Sequence, residues 1–244
     1  MKLIELESVR STNDYVKENA GSLVSPSMVV ARAQTAGRGQ RGNSWESEPG
    51  ANLTFSVFVR LQEFPARRQF AVSEAVALAV ADTLGAFGVE AKVKWPNDIY
   101  VGDRKICGIL IEHSLMGAEL MHTIAGAGIN VNQKRFLSPA PNPVSMWQLL
   151  GRETQLVAVR DEMVRRLESA FSRIADEEGR QRVHQEFSGR LWRGDGKAYP
   201  FRDTATGEVF EASIAGIDPD GPLHLRLVDG SMRGYLFKQV EFIL

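Results

Sequence analysis

Apolar and polar residues alternate along several short stretches at the start of the chain, as they do in half-buried strands. This alternation predicts strands at residues 3–7, 28–34 and 52–60. Between the first two strands, residues 11–14 offer N-cap side chains for a helix that ends near Ala20. Between the last two lies a loop of residues 34–45 with three glycines and two arginines. We therefore predict that this loop joins two neighbouring strands.

A second region combines a helical repeat with strands and tight turns. Apolar residues recur at helical spacing over residues 66–87 and predict a long amphipathic helix packed on the sheet, with Gly88 as its C-cap. Strands are predicted at 92–95, 105–113 and 119–132. Turn residues at 96–98 interrupt the first, and residues 102–103 mark a hairpin that joins a short strand after this break to the strand at 105–113. A short helix at 145–150 and a longer one from residue 156 to 174 follow, with a polar continuation to about residue 187.

The pattern changes after Trp192. Alternating segments at 209–214, 223–227 and 240–243 are separated by glycine-containing turns, which is typical of a small all-β barrel. We therefore predict an α+β fold with a mixed sheet flanked by helices over residues 1–190, followed by a β barrel over residues 193–244.

Composition narrows the function classes. The chain has 244 residues, is 43% hydrophobic and carries a formal net charge of −1, so no global field attracts nucleic acid or an anionic membrane. The N-terminus lacks an apolar signal core, and no run of about 20 apolar residues suggests a membrane span. A single cysteine, Cys107, excludes an internal disulfide, so we expect a cytoplasmic protein and a buried structural thiol.

The glycine-rich loop has the chemistry of an anion site. Gly37, Gly39 and Gly42 let backbone N–H groups approach a ligand closely, and Arg38 and Arg41 can bind phosphate or carboxylate in a bidentate manner. The glycine spacing matches neither common nucleotide-binding loop. Taken alone, the loop is equally compatible with a solvated surface turn, just as residues 11–13 taken alone are compatible with a helix cap.

Four stretches together carry a family resemblance. They are Ser11-Thr12-Asn13, the loop of residues 34–45, the segment Lys94-Trp95-Pro96-Asn97-Asp98 with Lys105-Ile106-Cys107-Gly108-Ile109-Leu110-Ile111-Glu112, and residues 126–130. In this order they resemble biotin protein ligase, also called biotin-[acetyl-CoA-carboxylase] ligase or holocarboxylase synthetase. The resemblance covers nearly the whole chain. It implies a class II synthetase-like catalytic domain with an SH3-like C-terminal barrel, in a form without the N-terminal DNA-binding domain of some bacterial members.

The resemblance implies an ATP-dependent, AMP-forming ligase. Such an enzyme activates biotin to biotinyl-5′-AMP and passes the biotinyl group to one lysine of a carboxylase biotin-carrier domain. The implied ligands are biotin, ATP and Mg²⁺, and the implied partner is the biotin carboxyl carrier protein, with no nucleic acid and no membrane. The resemblance leaves open whether the protein forms a homodimer.

Residue roles carried over from the family form three sets. The catalytic cations are Lys105 and Arg38. Biotin would contact Ser11, Thr12, Asn13, Gln34, Gly37, Arg38, Gly39, Gln40, Lys105, Gly108, Gly126 and Gly128. ATP would contact Arg38, Arg41, Trp45, Lys94, Asn97, Asp98, Lys105 and Asn130, with Asp98 also a ligand of Mg²⁺. The family loop more commonly has arginine where this chain has Gln40, so a charge expected near the adenylate is missing.

Two alternatives are kept. A lipoate or octanoate ligase or transferase of the same fold also acts on carrier-domain lysines, and competition between biotin and lipoate separates it from a biotin ligase. A nucleic-acid-binding module would use the arginine loop and the barrel, but the net charge of −1 counts against it.

Overall fold

The computed structural model describes residues 1–39, 43–138 and 140–244. Within these ranges, seven strands form a mixed sheet in the order β1-β2-β3-β7-β6-β5-β4, in which only β1 and β2 run parallel. The strands are β1 (Lys2–Val9), β2 (Ser27–Gln34), β3 (Leu53–Val59), β4 (Lys92–Lys94), β5 (Asp98–Val101), β6 (Arg104–Met116) and β7 (Glu119–Ile129). As predicted, the glycine-rich loop joins two neighbouring strands, β2 and β3.

Helices cover both faces of this sheet. They are α1 (Thr12–Asn19), α2 (Phe70–Ala86), α3 (Met146–Leu150), α4 (Leu156–Arg173) and α5 (Glu177–Gly189). Helix α1 packs against one face around Val16 and Phe58, while α2 packs against the other beneath α4 and α5. Both faces of β3 are therefore buried along its whole length.

Two helix predictions were wrong. Helix α2 does not expose a polar face to solvent as an amphipathic helix would. Helices α4 and α5 cover the side that faces away from the sheet, and fourteen residues of α2 are buried. The polar continuation of the long helix is a separate helix, α5. Asp176 starts it by accepting a hydrogen bond from the Gly179 N–H at 2.7 Å. Gly179 suits this corner, since a Cβ there would lie 1.8 Å from the Arg173 carbonyl oxygen.

Five antiparallel strands form a second sheet in the order β11-β10-β9-β8-β12, within the described part of the chain. They are β8 (Tyr199–Asp203), β9 (Val209–Ile217), β10 (Leu223–Leu227), β11 (Met232–Tyr235) and β12 (Val240–Phe242). The sequence did not predict β8, which contains a proline, or β11, which is short and contains a glycine. The α+β class is confirmed, and the C-terminal sheet is consistent with an SH3-like barrel.

Among the helices in the described ranges, none is both long enough and apolar enough to cross a membrane.

A buried ionisable pair joins α2 to α5. Glu74 is 1% exposed and its carboxylate lies 2.6 Å from the His184 Nδ1 atom. Burial raises the pKa of Glu74. The hydrogen bond that the His184 ring donates to Glu74 raises the pKa of His184, whose ring also contacts the Ile217 carbonyl of β9. The folded protein therefore holds protons more tightly here than the unfolded chain does.

The pair predicts a pH dependence of stability. A group whose pKa is raised by folding contributes fully to the free energy of unfolding at a pH below its unfolded-state pKa, which is near 6.5 for histidine. This contribution is lost as the pH rises through the folded-state pKa. We expect the free energy of unfolding to fall as the pH rises through that window, and the His184→Gln variant to show a flatter dependence. Urea unfolding at a series of pH values measures both slopes, and equal slopes would contradict the assignment.

Candidate functional site

The site begins as a trench in the sheet. Two rows of paired residues cross β3, β7 and β6 on the face that α1 covers: Thr54, Gly128 and Gly108 form one row, and Ser56, Gly126 and Leu110 form the other. Three of these six positions are glycine, so the sheet presents bare backbone where other strands present side chains. An elongated ligand can therefore lie against the strands.

A cavity of about 630 Å³ opens above this trench. Most of the predicted site residues line it, and they are Ser11, Thr12, Asn13, Gln34, Arg38, Gly39, Trp45, Lys94, Asp98, Lys105, Gly108, Gly126, Gly128 and Asn130. Gly37 and Asn97 are not among the lining residues. Gln40 and Arg41 lie outside the described residues.

A neutral polar cluster occupies one end of the cavity. Thr12 donates its backbone N–H to the Gln34 Oε1 atom at 2.8 Å. The Ser56 hydroxyl oxygen lies 2.7 Å from the Thr12 hydroxyl oxygen and 2.5 Å from the Asn13 Oδ1 atom. Ser11 occupies the N-cap position of α1 with no side-chain cap hydrogen bond. A helix cap therefore does not explain these buried side chains, which face the cavity instead.

Ser56 is a site residue that was not predicted from the sequence. It is fully buried in the middle of β3, where its neighbour on β7 is Gly126. A buried hydroxyl in a strand that is apolar apart from Thr54 and Ser56 needs hydrogen-bond partners, and that requirement was the available signal. Its partners show that β3 supports the cluster at the start of α1.

The Trp45 ring covers the row of Gly108 and Gly128. A Cβ at Gly128 would lie 2.2 Å from the indole Nε1 atom, and one at Gly108 would lie 2.8 Å from the ring. The indole Nε1 is buried and has no hydrogen-bond partner in the described part of the chain. The resemblance implied that Trp45 contacts ATP, whereas here its ring covers Gly108 and Gly128, which were expected to contact biotin.

A cation, Lys105, lies at the other end of the trench. Its Nζ atom is 2.7 Å from the Asp98 Oδ2 atom, and its Cε atom would lie 3.3 Å from a Cβ at Gly108. The backbone N–H of Lys105 donates to the Asn142 carbonyl, and its carbonyl accepts from the Val144 N–H. The proline-containing loop therefore fixes the backbone of β6 where the lysine projects.

Lys94 lies beside this cation in an aromatic setting. Its Nζ atom is 3.2 Å from the Tyr100 hydroxyl and between 4.9 and 5.6 Å from the ring centroids of Tyr100, Trp192 and Phe242. Burial lowers the pKa of Lys94 and raises the pKa of Tyr100 to about 12. Phe242 belongs to β12, so the C-terminal sheet supplies part of the cavity, which was not predicted from the sequence.

Arg38 is positioned differently from what the resemblance implied. Its Nη2 atom lies 2.8 Å from the Asp14 Oδ1 atom and 3.0 Å from the Glu112 Oε2 atom. Glu112 also accepts a hydrogen bond from the Asn13 side chain at 2.9 Å. Glu112 is four residues beyond Gly108 on β6, a rise of about 13 Å along the strand. In this structure, two carboxylates at the polar end of the cavity therefore neutralise the charge of Arg38, and its role as a catalytic cation stays a prediction.

The remaining predicted residues have local roles. A Cβ at Gly37 would lie 2.7 Å from the Trp45 carbonyl oxygen, so glycine allows the base of the loop to close. Asn130 is 2% exposed and donates its amide to the Val144 carbonyl at 3.0 Å. Its Oδ1 atom is buried without a hydrogen-bond partner among the described residues, and a ligand in the cavity could supply one. Asn97 is buried in the turn next to Asp98.

Three other reactive side chains take no part in the site. Cys107 is fully buried, as predicted, and burial raises the pKa of its thiol. His113 contacts Thr123 at 2.8 Å, and burial lowers its pKa to about 4. The ring of His122 packs against Phe58 with 5.3 Å between centroids.

Comparisons with known proteins agree with this geometry. The bifunctional ligase/repressor BirA of Escherichia coli is 40% identical over 131 residues, a match that covers 53% of this chain and 40% of that protein. The biotin--[acetyl-CoA-carboxylase] ligase of Paracoccus denitrificans is 37% identical over 124 residues, covering 50% of this chain and 51% of that protein. The chain thus spans about two fifths to one half of the length of these curated relatives.

Solved structures show the same fold. The biotin protein ligase from Aquifex aeolicus in complex with biotin and ATP superimposes with a TM-score of 0.81 at 23% identity, over 98% of this chain and 97% of that one. The Leishmania major biotin protein ligase in complex with biotinyl-5-AMP gives a TM-score of 0.62 at 23% identity, over 96% and 98%.

The family assignment follows from the sequence match. The profile of the biotin/lipoate A/B protein ligase family matches residues 5–130, which is 126 of the 244 residues and includes the polar cluster, the glycine loop, Lys105 and both glycine rows. The chain therefore belongs to the biotin/lipoate A/B protein ligase family.

Proposed function

We propose that the protein is an ATP-dependent biotin protein ligase. The observation that carries the proposal is the polarity along the trench, with a neutral hydrogen-bonding cluster at Thr12, Asn13 and Ser56 and a cation at Lys105. Biotin has a matching shape, because a neutral ureido ring and a carboxylate stand at opposite ends of an apolar body. The printed names of the relatives, which are biotin ligases, agree with this choice.

In the first step of this proposal, a biotin carboxylate oxygen attacks the α-phosphorus of ATP. A P–O bond forms, the bond between the α-phosphorus and the bridging oxygen breaks, and pyrophosphate leaves. Carboxylate and triphosphate repel each other, so a fixed cation lowers the barrier by neutralising the charge that both bring. Lys105 is the candidate, with Lys94 and Asn130 toward the nucleotide. The aromatic surroundings and lowered pKa of Lys94 reflect its desolvated setting.

In the second step, the amine of a carrier-protein lysine attacks the acyl carbon of the mixed anhydride, and AMP leaves. This transfer requires no covalent nucleophile of the enzyme, which is consistent with the buried, high-pKa Cys107. The acceptor that we propose is a lysine of a biotin-carrier domain, since relatives are named for acetyl-CoA carboxylase. Residues 1–190 would form the catalytic domain and residues 193–244 the barrel.

Magnesium enters this scheme with ATP rather than as a resident ion. The described residues contain no group of three histidine, cysteine, aspartate or glutamate side chains that could hold a metal. Asp98, the residue predicted to bind Mg²⁺, pairs with Lys105 in this structure. One carboxylate next to phosphate oxygens and water is nevertheless a sufficient protein contribution for Mg²⁺ bound to a nucleotide.

The polar cluster also separates biotin from lipoate. The dithiolane ring of lipoate has no N–H or C=O group, so it would leave the buried polar groups of Thr12, Asn13 and Ser56 without new partners. A site built for hydrogen bonds strongly rejects an analogue that lacks them. We therefore expect lipoate to compete weakly with biotin.

The test of the proposed function is the first half-reaction. The protein is incubated with MgATP and either biotin or lipoate, and pyrophosphate and the acyl adenylate are quantified. We expect pyrophosphate and biotinyl-AMP with biotin, followed by transfer to an added carrier domain. Pyrophosphate release with lipoate but not with biotin would replace the proposal with the lipoate alternative, and release with neither would refute both.

The position of Arg38 predicts a smaller role in adenylation than that of Lys105. The Arg38 guanidinium pairs with Asp14 and Glu112 at the polar end of the cavity. The Arg38→Ala variant should therefore lose less than about tenfold in the rate of pyrophosphate release. A direct electrostatic contact to the reacting phosphate, by comparison, is worth about a hundredfold or more. Steady-state assays with saturating biotin and MgATP measure the loss. A decrease in this rate as large as that of Lys105→Ala would show that Arg38 has the catalytic role that the resemblance implied.

A further inference from the structure

The turn between β9 and β10, residues 218–221, docks on the first sheet next to the proposed nucleotide end. Its Gly221 carbonyl accepts a hydrogen bond from the Trp95 indole Nε1 atom at 2.9 Å. Trp95 is 5% exposed and belongs to the segment Lys94-Trp95-Pro96-Asn97-Asp98, all of which except Asn97 lines the cavity. The indole thus connects the C-terminal sheet to the backbone that carries Lys94 and Asp98.

Gly221 fits closely against the catalytic side. Its φ angle is +111°, a conformation that other residues rarely adopt, and a Cβ would lie 3.2 Å from the ring of Phe70 at the start of α2. A side chain at this position therefore meets both backbone strain and a packed aromatic ring. The small residue allows the turn to approach Trp95.

One further ion pair holds the same turn, and a second segment of the C-terminal domain contacts Trp95. Asp220 pairs with Arg68 at 3.3 Å, and Arg68 also pairs with Glu177 at the start of α5. The ring of Phe237, between β11 and β12, makes an edge-to-face contact with the Trp95 ring, with 6.1 Å between centroids. Phe237 itself lines the cavity. The indole is therefore enclosed by two separate segments of the C-terminal sheet.

We propose that Trp95 is a positioning residue, and that the β9–β10 turn fixes the segment 94–98 so that Lys94 and Asp98 face the nucleotide. The polar cluster at Thr12 and Ser56 lies at the opposite end of the trench, so the contact should affect ATP rather than biotin. This inference rests on the proposed function for its kinetic measurement. Its structural measurement is independent of any ligand.

The test uses two variants and a matched control in the whole 244-residue chain. Trp95→Phe removes the N–H donor while keeping an aromatic ring, and Gly221→Ala disturbs the docked turn without altering Trp95. Gly230→Ala is the control, because Gly230 also has a positive φ of +86° in a turn of the same sheet but has no neighbouring atom within 4 Å. The control therefore introduces the same methyl group at a positive φ without touching the docking contact.

We expect both test variants to raise the KM for ATP in pyrophosphate release by about tenfold, since small displacements of positioned groups cost one to two orders of magnitude. The biotin dissociation constant, measured by calorimetry without ATP, should stay within about twofold of wild type. Amide hydrogen exchange of residues 92–98 should be faster in both variants and unchanged in Gly230→Ala.

The outcomes separate the two proposals. Unchanged exchange at residues 92–98 together with an unchanged KM for ATP would overturn the positioning role while leaving the ligase assignment intact. Equal losses of biotin and ATP binding would also overturn it, because they indicate general destabilisation. If wild type makes no pyrophosphate with biotin, the proposed function fails, and the exchange data still decide whether the turn holds this segment.

Discussion

Replacing Lys105 by alanine should lower the rate of biotinyl-AMP formation by about a hundredfold while the protein stays folded. The expected loss is about 3 kcal/mol, typical of removing one preorganised electrostatic contact from a transition state. Lys105 is suited to this role because hydrogen bonds to Asn142 and Val144 fix its backbone, and its charge stands at the end of the trench opposite the polar cluster. Its side chain is partly exposed and contributes little to the core.

The measurement is pyrophosphate release with saturating biotin and MgATP, together with thermal unfolding of each variant. Lys92→Ala is the control, since Lys92 is an exposed lysine on β4 of the same sheet. Biotin binding without ATP should weaken only modestly, because the polar cluster is intact. Near wild-type release from Lys105→Ala would remove this lysine from the reaction.

Replacing Gly126 by alanine should weaken biotin binding by one to two orders of magnitude. A Cβ at this position would lie 2.1 Å from the Asn13 Oδ1 atom, so Asn13 has to move. Its movement breaks the contacts with Ser56 and Glu112, at 2.5 and 2.9 Å. Each buried polar group left without a partner costs about 1 to 3 kcal/mol, which corresponds to a roughly tenfold to hundredfold loss of affinity.

Calorimetric titration with biotin measures this effect. Gly216→Ala is the matched control, because Gly216 also lies within a strand, β9, and a Cβ added there would have no atom within 4 Å. Gly128→Ala makes an informative comparison, since its methyl group would displace the Trp45 ring instead of Asn13. Unchanged biotin affinity in Gly126→Ala would mean that Asn13 does not form the ureido end of the site.

Several features of the fold followed from local pattern. Alternation along residues 52–60 predicted β3, and turn residues at 102–103 predicted the β5–β6 hairpin. Both predictions succeed because strand periodicity and turn preference depend on residues that are close together in the sequence. The break between α4 and α5 was missed although Asp176 and Gly179 carry it. Its signal is a single capping residue within a continuous polar stretch, which periodicity does not detect.

The candidate site could be selected from sequence only because four separated segments were read together as a family pattern. No local rule distinguishes the side chains of Ser11 and Thr12 from a helix cap, or Lys105 from the flank of a hairpin. Ser56 could not be assigned, since its importance depends on strand pairing that places it beside Gly126 and next to Asn13. Gln40 and Arg41 stay predictions, as they lie outside the described residues.

The sequence by itself determined most of the strands, the glycine positions and the residue types that the chemistry needs, because these depend on near neighbours along the chain. Only the tertiary structure decided which charges meet. Arg38 pairs with Asp14 and Glu112, Lys105 pairs with Asp98, and the Trp95 indole reaches Gly221, 126 residues further along the chain. Such pairs form because strand register and the packing of the second sheet bring distant segments within a few ångströms, and the range of a hydrogen bond is no longer than that.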